Sequence, residues 1–198
     1  MIAIIDYNAG NTRSVMNALD YLGVEYELTS NPDKIATASA IILPGVGSFG
    51  YAMENLRKKC LEQPINDALR KGTPFFGICL GLQLLFEESE ESPGVKGLGI
   101  FKGRVARFRK GKVPHVGWNC IIPTGEVDIF NKGFAYFVNS FFVVPEDKRI
   151  IAAESDYYGT FACAVKYKNI TAVQFHPEKS GKFGIEILRR WLKCWQKE

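Results

Sequence analysis

Short apolar runs alternate with amphipathic stretches through the first half of the chain. Ile2–Ile5 is wholly apolar and reads as a strand covered on both faces. Asn11-Thr12 can cap a helix that runs through Met16, Leu19 and Leu22 and stops at Gly23. Residues 24–28 read as a second strand, and 40–43 as a third that ends in Pro44-Gly45-Val46-Gly47. Helical periodicity returns over 51–58 and 64–71, residues 74–78 form a fourth strand, and 81–88 read as a helix. Strands alternating with helices predict a parallel sheet with crossover helices. Such sheets gather ligands at the carboxyl ends of their strands, here the loops after Asp6, Leu43 and Ile78.

The second half changes character. Residues 103–108, 120–123, 136–144, 150–153, 161–167 and 170–175 have strand composition, with turns rich in Gly, Pro, Asn and Asp between them. The chain closes with a helix over Gly181–Trp195, in which Phe183, Ile187, Trp191 and Trp195 make one apolar stripe. The pattern as a whole predicts a single α/β domain over 1–198. A central, mostly parallel sheet is flanked by helices, and antiparallel strands extend it in the C-terminal half.

Composition narrows the function. With 46% hydrophobic residues in 198, the chain can build one sizeable core without disulfide or metal staples. The net charge of +4 is spread along the chain, and small basic clusters at 107–112 and 189–197 read as solvated surface, so no nucleic-acid partner is expected. Five cysteines at 60, 79, 120, 163 and 194 form no Cys-x-x-Cys pair, and two histidines are too few for a Cys/His zinc site. No metal or cofactor is expected. Free thiols suit a reducing cytoplasm. The N-terminus has no signal-peptide pattern, and no apolar run reaches membrane-spanning length.

The chemistry concentrates in three segments. In Phe75-Phe76-Gly77-Ile78-Cys79-Leu80-Gly81-Leu82-Gln83 a buried strand enters Gly-x-Cys-x-Gly and then a helix, the form of a nucleophile elbow with cysteine in the serine position. A helix N-terminus beside the sulfur favours thiolate, and the Leu80 N–H is set to meet an oxyanion. The alternative for any free cysteine is a small buried thiol, and Cys60, Cys120, Cys163 and Cys194 read that way.

The second segment is an apolar strand ending in His176-Pro177-Glu178. Extended residues two apart point the same way, so Glu178 can hold one ring nitrogen of His176 while the other faces a sulfur. His115 has no carboxylate near it in sequence and reads as structural or interfacial. The third segment, Pro44-Gly45-Val46-Gly47, follows a strand and shares the rim with Cys79. Its glycines leave backbone N–H groups open to a ligand, and it lacks the Gly-Lys-Ser/Thr of a phosphate loop.

These segments, in this order and spacing, resemble the class I (triad-type) glutamine amidotransferases. Pro44-Gly45-Val46-Gly47, Pro114-His115-Val116-Gly117-Trp118-Asn119, Tyr136-Phe137-Val138 and His176-Pro177-Glu178-Lys179-Ser180 extend the resemblance, over nearly the whole chain, to the glutaminase subunits of imidazole glycerol phosphate synthases. The resemblance implies a Cys79–His176–Glu178 triad, with Gly45, Val46, Gly47 and Leu80 supplying oxyanion donors. It implies that Gln83, Glu91, Asn139, Ser140 and Phe141 grip glutamine. It implies a heterodimer with a cyclase subunit of (β/α)₈-barrel fold that receives the ammonia, with Asn11, Trp118, Tyr136 and Lys179 facing that partner. The family commonly has histidine at the position of Asn139. That departure leaves open a paralogue feeding another synthase, such as a sugar-amidating one. A free-standing γ-glutamyl thiol hydrolase is the remaining alternative.

Overall fold

The computed structural model describes residues 1–8, 10–125 and 128–195; Lys197 of the C-terminal basic cluster lies outside them. Five parallel strands form the centre: β1 (Ile2–Ile5), β2 (Tyr26–Thr29), β3 (Ala40–Gly45), β4 (Phe75–Cys79) and β12 (Ile170–Val173), in the order β2-β1-β3-β4-β12. β1, β3, β4 and β12 are buried along their whole length, in keeping with their predominantly apolar composition, in which Thr171 of β12 is a buried polar exception. Their two-residue period divides the side chains between two cores. In β3, Ile41 and Leu43 join one core with the helices α2 (Pro32–Ala36), α3 (Phe49–Lys58) and α4 (Glu62–Arg70). Ala40 and Ile42 join the other with α1 (Thr12–Tyr21) and α6 (Gly181–Trp195). The buried face of α6 comprises Gly184, Ile187, Leu188, Trp191 and Leu192, a broader stripe than the four-residue repeat predicts. Each large side chain there contributes roughly 1.5–3 kcal/mol by leaving water.

Beyond β12 the sheet continues antiparallel through β11 (Thr160–Tyr167), β10 (Ile151–Asp156), β7 (His115–Pro123) and β8 (Gly133–Asn139). A branch leaves β11 through β9 (Phe141–Pro145) and β6 (Phe101–Arg107) to β5 (Phe86–Ser89), which runs parallel to β6.

Four local expectations change. The helix expected over 81–88 lasts one turn, α5 (Leu80–Gln83), and the chain leaves as β5. Its continuation is pre-empted because Leu98 N–H takes the Leu84 carbonyl (2.8 Å) and Ile100 and Phe101 N–H take that of Leu85 (2.9 and 3.0 Å). The single strand expected over 136–144 breaks at Ser140, because β8 is held by β7 and β9 by β6. The short strand at 120–123 begins at His115, since β7 pairs with β8 from His115↔Asn139 onward. Helix α2, absent from the sequence reading, starts where the Asn31 side chain accepts from the Asp33 N–H with Pro32 in the first turn.

Candidate active site

β4 ends at Cys79, whose backbone (φ +54°, ψ −104°) lies where non-glycine residues are rare. The turn is tight enough that a Cβ on Gly81 would overlap the Leu43 carbonyl oxygen of neighbouring β3. The same ladder sets Gly45 opposite Cys79, so the 45–47 segment starts beside the sulfur. The carbonyl of Pro44 accepts a 2.8 Å hydrogen bond from the fully buried Tyr7 hydroxyl. Burial, reinforced by the charge of Cys79, pushes the Tyr7 phenol far above its usual range, so it stays a donor. Because α5 is a single turn, with all four residues buried, the positive field at Cys79 comes from a few first-turn N–H groups rather than a long helix. The Leu80 N–H, first in that turn, has no helical acceptor.

The histidine segment is clamped from several sides. His176 N–H donates to the Tyr136 carbonyl (2.9 Å), and the Ser180 hydroxyl donates to the His176 carbonyl (2.6 Å) while accepting from Tyr136 N–H (2.9 Å). Helix α6 crosses so close that a Cβ on Gly184 would overlap the Pro177 carbonyl. The extended pairing expected for His176 and Glu178 gives way to a 3₁₀ turn over Pro177–Lys179. The turn still brings the side chains together: His176 Nδ1 lies 2.8 Å from Glu178 Oε1, and both are almost fully buried.

Burial alone would push the His176 imidazolium down. Hydrogen bonding and charge from Cys79 and Glu178 outweigh it and raise the pKa to about 10. His115, the other histidine, is buried between Tyr157 (ring centroids 4.1 Å) and Phe137 (5.2 Å), and burial lowers its pKa. It packs within this aromatic cluster and is not among the residues lining the Cys79 cavity. With two histidines in the chain, an NMR pH titration separates them cleanly. His176 should titrate near 10 and His115 below 6.5. Cys79→Ala should move His176 downward and leave His115 in place; unchanged His176 titration would refute the coupling. The linked stabilities have opposite signs. The contribution of His176 is complete below pH 6.5 and fades as pH rises through about 10. That of His115 is complete above 6.5 and fades as pH falls through its lowered pKa.

A cavity of about 250 Å³ opens at Cys79. Its lining brings together Val46, Gly47, Leu80, Gln83, Glu91, Asn139, Ser140, Phe141, His176 and Lys179, with Glu178 behind the imidazole. Pro114 and Val138, which belong to segments of the resemblance but not to its expected site residues, also line it. A larger groove of about 850 Å³ beside Lys102, Asp147, Arg149 and Tyr167 is lined by no cysteine or histidine.

Some site residues carry structural duties. Glu91 Oε2 accepts from Phe49 N–H at the start of α3 (2.7 Å). Asn139 Nδ2 donates to the Phe141 carbonyl (3.0 Å), while its buried Oδ1 has no partner among the described residues. Three of the four residues expected to face a partner lie off the cavity. Asn11 Nδ2 donates to Ser14 Oγ at the start of α1 (2.8 Å), and Trp118 and Tyr136 meet edge to face (6.0 Å) on the β7–β8 hairpin. Sequence reasoning missed Gln174, which is fully buried and donates to Cys79 Sγ (3.5 Å). The signal was one amide in the otherwise apolar run 170–175.

Comparison with known proteins gives a consistent result. The profile of the family described as Glutamine amidotransferase class-I matches residues 3–194. The chain is 43% identical over 201 residues to imidazole glycerol phosphate synthase subunit HisH 1 of Methanococcus maripaludis, covering 98% of this chain and 99% of that one. It is 45% identical over 197 residues to the corresponding HisH subunit of Rhodopirellula baltica, covering 96% of each. A crystal structure described as a glutamine amidotransferase superposes with a TM-score of 0.80 at 19% identity, over 99% of this chain and 100% of that one, a likeness of fold.

Proposed function

Because the chain belongs to the class I glutamine amidotransferase family, we propose that it is the glutaminase subunit of an imidazole glycerol phosphate synthase, built as one domain over residues 1–198. It hydrolyses glutamine to glutamate and ammonia. The observation that carries the reading is a cysteine at a strained strand end sharing one cavity with a histidine held by a buried glutamate.

The geometry translates into a sequence of steps. The Cys79 thiolate adds to the side-chain carboxamide of glutamine, and the carbonyl electrons pass to oxygen. The Leu80 N–H and the 45–47 segment face that oxyanion. As the tetrahedral centre collapses, the C–N bond breaks, and His176 gives its proton to the departing nitrogen, releasing ammonia and leaving a γ-glutamyl thioester. Neutral His176 then takes a proton from water, which adds to the thioester. The C–S bond breaks, glutamate leaves, and the thiolate–imidazolium pair is restored. Glu178 keeps Nδ1 engaged throughout, so Nε2 is the atom that moves protons. Gln83, Glu91 and the Asn139–Ser140–Phe141 corner hold the substrate, with the carboxylate of Glu91 suited to an α-ammonium group.

Free ammonia in neutral water protonates and ceases to be a nucleophile, so the acceptor site has to be adjoining. We assign it to a cyclase subunit of (β/α)₈-barrel fold. On the β7–β8 hairpin, Val116, Trp118, Ile122, Phe134 and Val138 are exposed, and the two-residue period puts them on one face. An apolar face of this kind fits a protein partner. It adjoins the cavity through Val138, with Lys179 on the same lining and Tyr136 paired with Trp118 on the hairpin, and we assign Asn11 to the same partner surface. The five cysteines are all unpaired, which suits a reducing cytoplasm. Among the described residues no helix is long and apolar enough to cross a membrane.

Co-purification tests the assignment. The chain and the barrel cyclase should elute as a one-to-one complex, and glutamine hydrolysis should rise when the nucleotide substrate of the cyclase is added. If the cyclase neither binds nor stimulates the chain, the acceptor assignment fails while the hydrolytic chemistry stands.

A further inference from the structure

A chain of buried amides leads from the β8–β9 corner to the sulfur. It begins at the Phe141 carbonyl, which can only accept. Gln83 Nε2 donates to it at 3.2 Å, which fixes the orientation of the Gln83 amide. The second N–H of that nitrogen donates to Gln174 Oε1 at 3.0 Å. With Oε1 so engaged, the Gln174 amide must turn its Nε2 toward Cys79 Sγ, 3.5 Å away. Gln174 is fully buried and Gln83 nearly so, so water does not compete for these groups. No alternative flip satisfies the chain: reversing Gln83 would set its carbonyl oxygen against those of Phe141 and Gln174, and reversing Gln174 alone would set its NH2 against that of Gln83.

We propose that Gln174 is a catalytic residue that donates a side-chain N–H to the Cys79 thiolate, held in register by Gln83 and the Phe141 carbonyl. The inference rests on the reading of Cys79 as nucleophile. The donor is useful at two points in the cycle. Before attack it holds the charged sulfur in one position on the side of β12. During thioester hydrolysis, when the C–S electrons return to sulfur, it meets the charge as it appears and makes sulfur a better leaving group. A neutral thioester sulfur is a poor acceptor, so the hydrogen bond weakens in the intermediate and does not trap it. The titratable groups around the sulfur are Tyr7, His176 with Glu178, and, across the cavity, Glu91 and Lys179. Gln174→Met adds no charge beside any of them, whereas Gln174→Glu does.

The test is alkylation of the full-length chain by iodoacetamide across pH, followed peptide by peptide. Exposed Cys60 and Cys194 serve as internal references, and fully buried Cys163 reports unfolding. Gln174→Met keeps the volume and removes the donor. Cys79 alkylation at neutral pH should fall about tenfold, its pH profile should move upward, and the Cys60 and Cys194 rates should hold. Gln174→Glu keeps an acceptor for Gln83 and sets a carboxylate against the sulfur, so its shift should be larger; it decides the matter if Cys163 becomes reactive in the methionine variant. A folded variant whose Cys79 profile overlays the wild type overturns the inference. If wild-type Cys79 reacts no faster than Cys60 and the wild-type complex releases no glutamate, the glutaminase reading itself fails.

Discussion

Cys79→Ala should lower glutamine hydrolysis by at least about 10⁴-fold, with the cyclase complex still able to use added ammonium salts. The sulfur lines the cavity at the end of β4, beside the first-turn N–H of Leu80 and within the field of His176. Removing it leaves the oxyanion donors and the histidine, which can polarise the carboxamide but form no thioester. The substitution should leave the fold intact. Alanine meets the same backbone strain that cysteine already bears, and the contacts the sulfur makes to the frame of the fold are long, 3.9 Å to the Val138 carbonyl and 3.5 Å to Gln174. Glutamate release and ammonium-dependent synthesis, measured on one preparation, separate the two activities. Undiminished glutamate release would end the triad mechanism; loss of both activities with binding intact would mean that Cys79 also shapes the partner's site.

Glu178→Gln should cost about 10³-fold in kcat with little change in KM. The carboxylate is buried, and among the described residues its Oε2 has no hydrogen-bond partner, so its interactions are directed at His176. A glutamine side chain has nothing there to fix its flip. With Nε2 turned to the ring it presents a donor to Nδ1 and selects the tautomer that leaves Nε2 protonated and unable to activate water. With Oε1 turned to the ring it keeps the tautomer but loses the negative charge that favours the imidazolium. Either way His176 should titrate lower than in the wild type, which a purely structural role for Glu178 would not produce. Wild-type kcat together with wild-type His176 titration would remove Glu178 from the triad.

How much of this was legible without coordinates depends on whether the information is local. The parallel core was readable because Ile2–Ile5, Ala40–Gly45 and Phe75–Cys79 are unbroken apolar runs followed by helical periods. The one-turn length of α5 was not, because Leu84 and Leu85 surrender their carbonyls to residues 98–101, a tertiary competition that periodicity cannot register. The break at Ser140 has the same origin: residues 136–144 have uniform strand character, and only the choice of different partner strands divides them.

Local chemistry along the chain therefore determined the triad members and the glycine frame around Cys79. Their types and spacings are set by covalent neighbours, namely the tight turn at Gly81 and the proline that shapes the turn between His176 and Glu178. Tertiary structure alone decided what surrounds them. It extended one cavity from the triad to the Asn139–Ser140–Phe141 corner, put the Tyr7 hydroxyl under the Pro44 carbonyl, and turned the Gln174 amide onto the sulfur. Those contacts join residues 37 to 95 positions apart, and they form because buried donors and acceptors must find partners wherever the packed sheet brings them.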